Sequence, residues 1–379
     1  MKKILVFSAG RSDFDRYFPF IASLKNTKKV KIKIYASKAH FINKFGNSEK
    51  YIKKKGFNII NNLNFKNSNF SDNPLFISQM LGAEIKLFSK YVKSFKPDLI
   101  FVMGDRYEML AAPCAAIPFN IPVFHFYGGA ITEGAIDELV RHSITKMCHY
   151  HFVALDLYKK RLIQMGEENW RVKVTGISNI NNLKRKKKIS IENFSKSIGL
   201  DLKKKTILCT FHSSTLELES LKYQLNILCN SIRRSGLQCI FTYPNADRGH
   251  ESIIKKIKKF VKKKNIYIFK KYCTLEEYSN LMRHCCLMIG NSSSGIVEAA
   301  SFNLPVINLG TRQDGKIKPK NIVDAKYNIN QICKLIFSLK KKKIKNPYDI
   351  NFSMKKFVKI ILNIKINDRL LRKKFVSIN

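Results

Sequence analysis

The sequence predicts an α/β protein with two doubly wound, Rossmann-like domains facing across a cleft. Three observations predict it. Short apolar runs that read as buried strands alternate with helical stretches from the first residues onward. The alternation breaks in a polar, basic segment near 179–188 and then restarts. Small or charged turns follow several of the strands, and open α/β sheets bind ligands at the carboxyl ends of their strands.

The elements follow in order. Lys3–Ala9, Val30–Ala36 and a weaker Phe57–Leu63 read as strands, with a helix near Phe14–Leu24 and a polar loop over Asn67–Asn73. Leu75–Phe95 has helical periodicity, and Pro97-Asp98 introduces the strong strand Leu99–Met103. Helix Tyr107–Ala116, strand Pro122–Phe126, helix Asp137–Lys146 and strands His151–Ala154 and Val172–Val174 complete the first half. In the second half, strands are expected at Thr206–Phe211, Gln238–Tyr243, Ile266–Phe269, Leu287–Ile289 and Leu304–Gly310. Helices are expected at Leu216–Ile232, Glu251–Lys263 and Leu275–Arg283, with one opening at Ile296–Ala300. The expected division is an N-terminal domain over 1–176, a C-terminal domain over 177–340 and a basic, helix-compatible tail over 341–379.

The 379 residues suffice for two domains, and 45% hydrophobic residues exclude global disorder. Seventy Lys and Arg against 27 Asp and Glu give a net charge of +43. The lysines are scattered in short clusters and are not interleaved with stacking aromatics. A solvated, lysine-rich surface therefore explains them better than a dedicated nucleic-acid module. The nine cysteines include no C-x-x-C pair and no zinc-spaced histidine partner. The start, MKKILVFSAG, is too short an apolar run for a signal peptide, and no uncharged run reaches the ~20 residues of a membrane span. A soluble, cytoplasmic protein without metal or cofactor is the expectation.

The strand ends select the candidate residues. After the first strand, SAGRSDFDR offers Arg11, Asp13, Asp15 and Arg16, with the arginines suited to phosphate oxygens. A capped helix start with surface ion pairs is the competing reading for Asp13 and Arg16. Gly104-Asp105-Arg106 follows the strongest strand, where an Asp suits acid or base chemistry or an ordinary helix cap. His125-Phe126-Tyr127-Gly128-Gly129 follows the next, and Asp137-Glu138-x-x-Arg141-His142 forms a dense titratable cluster. In the second half, His212 stands at a strand tip as a phosphate or proton-transfer candidate or a satisfied structural histidine. Asn245 suits a nucleotide or an Asx turn, and Tyr272-Cys273 precedes a helix. Ser292 and Ser293 open a helix after a buried strand, a place that suits a diphosphate, with Glu298 within reach of sugar hydroxyls. An ordinary N-cap is the alternative there. Arg312 follows the last strong strand as a second phosphate clamp.

Taken in order, GRSDFDR, GDRYEMLAA, GGAITEGAIDELVRHSITKMCHYHF, VTG, TFHSSTLE, YPNADRG and GNSSSGIVEAASFNLPVINLGTRQDG cover most of the chain. This ordered set resembles the hydrolysing UDP-N-acetylglucosamine 2-epimerases, in particular the branch that feeds sialic and legionaminic acid synthesis. The resemblance implies the two-domain fold called GT-B and a reaction without metal or redox cofactor. A base removes the C2 proton while UDP leaves from C1, and water adds to the resulting glycal with inversion at C2. It implies Asp105, Asp137 and Glu138 as the acid and base carboxylates, and His212 at the diphosphate. Arg11, Arg106 and Arg312 would bind nucleotide or phosphate. Asn245, Ser292, Ser293 and Glu298 would hold UDP, with Glu298 on the ribose and Tyr272 and Cys273 at the uracil. The partner implied is a UDP-sugar, and a homodimer is expected. Many members carry Glu where Tyr127 stands, so the phenol is expected to orient water or a sugar hydroxyl instead. Asp15 stands where small residues are common, at the phosphate end. The alternatives are a GT-B glycosyltransferase using a UDP-sugar donor and an inactive scaffold that binds polyanions.

Overall fold

A computed structural model describes residues 1–42, 48–60, 71, 73–214, 216–217, 220–245 and 247–377. The chain divides into two compact units, residues 1–130, 137–179 and 350–379 in one and residues 131–136 and 180–349 in the other. Both are doubly wound parallel α/β structures, the fold class that the alternating pattern predicts.

The first unit carries seven parallel strands: β1 (Lys2–Ser8), β2 (Val30–Ala36), β3 (Asn58–Ile59), β4 (Leu99–Met103), β5 (Val123–Phe126), β6 (Tyr150–Val153) and β7 (Val172–Val174). Their order is β3-β2-β1-β4-β5-β6-β7, so the winding direction reverses between β1 and β4. Strands β4, β5 and β6 are buried along their whole length, as continuous apolar runs in a sheet covered on both faces must be. An aromatic core fills this sheet: Phe126 stacks on Phe152 at 4.9 Å between centroids and meets Phe101 edge-on at 5.2 Å.

The second unit carries β8 (Thr206–Thr210), β9 (Gln238–Thr242), β10 (Tyr267–Lys270), β11 (Leu287–Gly290), β12 (Val306–Leu309) and β13 (Ile322–Ala325). The order is β10-β9-β8-β11-β12-β13, all parallel, with the reversal between β8 and β11. Each reversal leaves a crevice at the carboxyl ends of two neighbouring strands, where the outgoing loops diverge.

Three expectations need adjustment. The division falls at 179/180, and residues 131–136 and 350–379 sit apart from where sequence order alone would put them. Residues 131–136 lie against 311–315 because Gly134 lacks a side chain: a Cβ there would come within 2.7 Å of the Thr311 carbonyl oxygen. The tail joins the first unit because Phe357, on helix Met354–Asn363, inserts against Phe20 at 4.7 Å and Phe152 at 5.2 Å. The segment expected as Tyr107–Ala116 begins as a 3₁₀ turn over Tyr107–Leu110 and becomes α-helical at Ala111–Ala116. Residues 61–63 of the expected third strand, and 67–70 and 72 of the expected loop, lie outside the described residues. Among the described residues no helix is long and apolar enough to cross a membrane.

Candidate active site

In the first unit the candidate residues gather at the carboxyl ends of β1, β4 and β5. Asp105 lies just beyond β4 and is not a helix cap; the residue at the cap position is Arg106, whose side chain makes no cap bond. The Asp105 carboxylate instead takes a charged hydrogen bond from Arg141 Nη2. Arg141, wholly buried on helix Asp137–Met147, also donates through Nη1 to Glu138 at 2.8 Å and to the Ala130 carbonyl at 2.9 Å. Glu138 accepts in turn from or pairs with His142 Nε2 at 2.9 Å. One guanidinium thus ties two carboxylates from different elements, with Asp137 beside them at the start of the same helix. Burial works against the charge of Arg141, but Asp105 and Glu138 outweigh it and hold its pKa above the usual value.

The neighbouring His125 Nε2 donates to the Gly104 carbonyl at 2.8 Å and so fixes the turn that presents Asp105. Burial pushes the His125 pKa down to about 3, so this ring is a neutral strut. Gly128 leaves room for it: a Cβ there would stand 2.9 Å from His125 Nδ1.

Tyr127 adopts φ +66, the left-handed region that a bulky residue seldom enters. Its phenol oxygen meets Ser178 Oγ at 2.9 Å and accepts the Ser178 N–H at 3.0 Å, while Ser178 Oγ donates to the Arg16 carbonyl at 2.7 Å. The phenol is thus held within the first unit by Ser178. Burial keeps it protonated, raising its pKa despite the Ser178 bonds.

Around the start of helix Arg11–Lys25, Asp13 accepts the Gly10 N–H at 3.0 Å. The cap reading of Asp13 describes this bond, but the residue is only 5% exposed, not on the surface. Burial raises its pKa to about 6 against the pull of Arg106 and Arg16, with Glu108 and Asp105 pushing the same way as burial. Arg106 pairs with Glu108 at 2.7 Å. Arg11 stands 3.6 Å from Asp15 and 4.6 Å over the ring of Tyr51, whose hydroxyl donates to Asp15 at 2.8 Å.

In the second unit the candidates surround the ends of β8, β9 and β11. The Asn291 side chain continues the sheet past Gly290: its Oδ1 accepts the His212 N–H at 2.7 Å and its Nδ2 donates to the His212 carbonyl at 2.8 Å. The Asn245 N–H donates to His212 Nδ1 at 3.0 Å, which puts the proton of the neutral ring on Nε2. Ser292 caps the short helix Ser293–Val297 by accepting the Ser294 N–H at 3.3 Å, and Tyr278 donates to Ser294 Oγ at 2.7 Å. This helix begins three residues before the expected Ile296, and the buried Glu298 caps its carboxyl end. Arg312 and Gln313 both donate to the Asn291 carbonyl, at 3.2 and 2.8 Å, and Arg312 lies 3.7 Å from Asp247. Tyr272 and Cys273 occupy the loop after β10, with Tyr272 on the surface and Cys273 packed on the core.

The pattern that defines the UDP-N-acetylglucosamine 2-epimerase family matches residues 22–362. The chain belongs to this family. Over 376 residues it is 31% identical to a UDP-N,N'-diacetylbacillosamine 2-epimerase (hydrolyzing) of Legionella pneumophila, covering 98% of this chain and 99% of that one. It is 34% identical over 336 residues to a GDP/UDP-N,N'-diacetylbacillosamine 2-epimerase (hydrolyzing) of Campylobacter jejuni, covering 86% and 85%. Its fold matches the crystal structure of UDP-GlcNAc 2-epimerase from Neisseria meningitidis bound to UDP-GlcNAc, with TM-score 0.74, 18% identity and coverage of 96% and 98%.

Within this epimerase-family chain, the sequence reading singles out Asp105, Asp137, Glu138 and His212 without naming what holds them. Arg141 holds Asp105 and Glu138, Asn291 holds His212 and is itself held by Gln313, and Ser178 holds Tyr127. Arg141 was legible as part of the charged helix face; Asn291 and Gln313 were marked only by adjacency to Gly290 and Arg312. Nothing in the local sequence marks Ser178, whose partner is fifty-one residues away.

Proposed function

We propose that this family member is a hydrolysing 2-epimerase acting on a UDP-sugar of the UDP-N,N'-diacetylbacillosamine class. UDP-N-acetylglucosamine is the second substrate to be tested. The observation that carries the reading is the single buried Arg141 joining Asp105 to Glu138 at the strand ends of the first unit. A C2 proton next to an acetamido group is only weakly acidic, so its removal needs a closely held carboxylate base. Asp105, Asp137 and Glu138 supply the base and the acid. The base takes the proton from C2 as the C1–O bond to UDP breaks, which leaves a C1–C2 double bond. Water then adds across it: a proton returns to C2 on the opposite face and hydroxyl joins C1, releasing the free manno-configured sugar. Arg141 holds the Asp105 and Glu138 carboxylates aligned throughout.

The leaving diphosphate gathers charge and needs donors. His212 Nε2–H and the capped helix start at Ser292-Ser293 supply them, with Arg312, Arg11 and Arg106 as cations. Asn245 and Glu298 hold the nucleoside, with Tyr272 and Cys273 at the base. The two relatives above, both named for hydrolysis of diacetylbacillosamine nucleotides, support the substrate class. On the resemblance, the product enters nonulosonic acid synthesis. Incubation of the purified protein with each UDP-sugar, followed by proton NMR, tests the reading. UDP and a manno-configured free sugar are expected, faster from the diacetamido substrate, with no acceptor added. UDP release that requires an acceptor would overturn it in favour of a glycosyltransferase.

A further inference from the structure

A polar cavity lies in the second unit, built from residues that none of the roles above uses. It measures about 620 Å³ and is lined by Lys188, Arg283, His284, Ser301, Phe302, Asn303 and Lys341, Lys342 and Lys343. Arg283 and His284 end the helix that leads into β11, and Ser301–Asn303 leads into β12. The cavity therefore sits at the amino ends of these strands, opposite the edge that carries His212 and Ser292. We propose that it binds a compact anion bearing two or more phosphate groups.

The lining holds five Lys or Arg side chains and no Asp or Glu. Two of the cations build the walls. Lys341 Nζ donates to the Arg283 carbonyl at 2.6 Å, and Arg283 Nη2 donates to the Lys184 carbonyl at 2.8 Å while its guanidinium packs over Phe302. The other three, Lys188, Lys342 and Lys343, make no hydrogen bond or ion pair with any described residue. Some lysines of this unit pair with carboxylates, as Lys184 does with Asp349, Lys270 with Glu277 and Lys318 with Asp324, and many exposed ones do not. What sets this cluster apart from the lysine-rich background is that its five cations share one concave space whose lining holds no carboxylate. Two further donors point the same way in chemistry: Asn303 uses its Oδ1 to accept the Ile344 N–H at 3.1 Å, which leaves its amide hydrogens to donate, and Ser301 accepts from Asn346, which leaves its hydroxyl hydrogen. A concave space of this volume suits a small ligand, whereas a duplex or a bilayer needs an extended face.

Calorimetric titration of the full-length protein with inorganic tripolyphosphate, at near-physiological salt, tests the proposal. Two double variants are compared with the wild type: Lys342→Glu with Lys343→Glu, and, as a control for diffuse charge, Lys262→Glu with Lys263→Glu. The wild type and the control are expected to bind alike. The cavity variant should lose one binding event or weaken it by about ten-fold or more. Tripolyphosphate should raise the melting temperature of the wild type and the control more than that of the cavity variant. The cavity variant itself should melt no lower than the wild type, because it relieves like-charge crowding. Equal weakening in both variants, an unchanged affinity in the cavity variant, or no binding to the wild type would each overturn the proposal.

Discussion

Arg141 has no exposed surface, yet it holds two carboxylates that keep part of theirs in water. That asymmetry makes it both a structural and an electrostatic centre. Asp105→Asn keeps an acceptor for Arg141 but cannot take a proton, so turnover should fall by about 100-fold or more while UDP affinity stays largely intact. UDP release and UDP titration measure the two separately. Arg141→Met leaves both carboxylates without their shared partner and should cost about 3 kcal/mol in a urea titration, besides turnover. At Tyr127 the prediction is the reverse in emphasis. Tyr127→Phe removes the oxygen that satisfies the Ser178 N–H, so stability should drop by about 1–3 kcal/mol, with a smaller effect on turnover than Asp105→Asn. A turnover loss as large as that of Asp105→Asn would place the phenol in the chemistry. Asp13 supplies a pH dependence. Its folded pKa of about 6 exceeds the ordinary aspartate value of 3.8, so the folded protein holds this proton more firmly. The stability it lends is full below pH 3.8 and is lost as the pH rises through 6. The gap corresponds to on the order of 3 kcal/mol. Asp13→Asn should gain about that much on the wild type between about pH 4 and about pH 7.5, and a pH-independent difference in denaturant titrations would contradict the assignment.

At the scale of elements, the turn after β11 shows how a strand end becomes a cradle. Gly290 has φ +136, and a Cβ there would lie 2.0 Å from the Thr210 carbonyl oxygen. Only glycine lets β11 stay this close to β8 while the chain turns toward Ser292. Gly290→Ala should therefore cost about 3 kcal/mol or more and weaken nucleotide binding, as thermal melts with and without UDP would show. The buried strands of this sheet were legible because short apolar runs between turn signals leave little choice. Strand β13 was not: only Ala325 of its four residues is buried, Asp324 is exposed at the sheet edge, and Lys318, Lys320 and Lys326 flank it. The helix start at Ser293 was misplaced for a related reason. A Ser-Ser-Ser-Gly run reads as a turn by propensity, but burial against Val306 and a cap from Ser292 hold it helical. Helix Asp156–Gln164, rich in Lys and Arg around Leu157 and Leu162, gave no clean apolar face to read.

At the scale of the whole molecule, two alternations of strand and helix with a basic break were enough to predict two doubly wound units. What they could not show is which distant segments complete each unit. The tail looked like a basic appendage because several of its anchoring groups are backbone carbonyls, which no side-chain pattern records. Arg171 donates to the carbonyls of Arg369, Leu370 and Arg372, at 2.7 to 3.0 Å, and Lys373 reaches the buried Glu167 at 2.8 Å. Burial alone would raise the Glu167 pKa, but His151 and Lys373 hold it down to about 2. Removal of residues 364–379 strips these partners from Arg171 and part of them from Glu167. Such a truncation should lose about 3 kcal/mol or more in a urea titration, and an unchanged midpoint would show the tail to be dispensable. The chemistry of the molecule rests on one claim, that the first unit's carboxylates break and remake the C2–H bond as UDP leaves. Turnover of the UDP-sugar in deuterium oxide, followed by NMR of the released sugar, tests it most directly. The account predicts one deuterium at C2 of the manno-configured product, equal in amount to the UDP released; product that keeps its original hydrogen at C2 would contradict it.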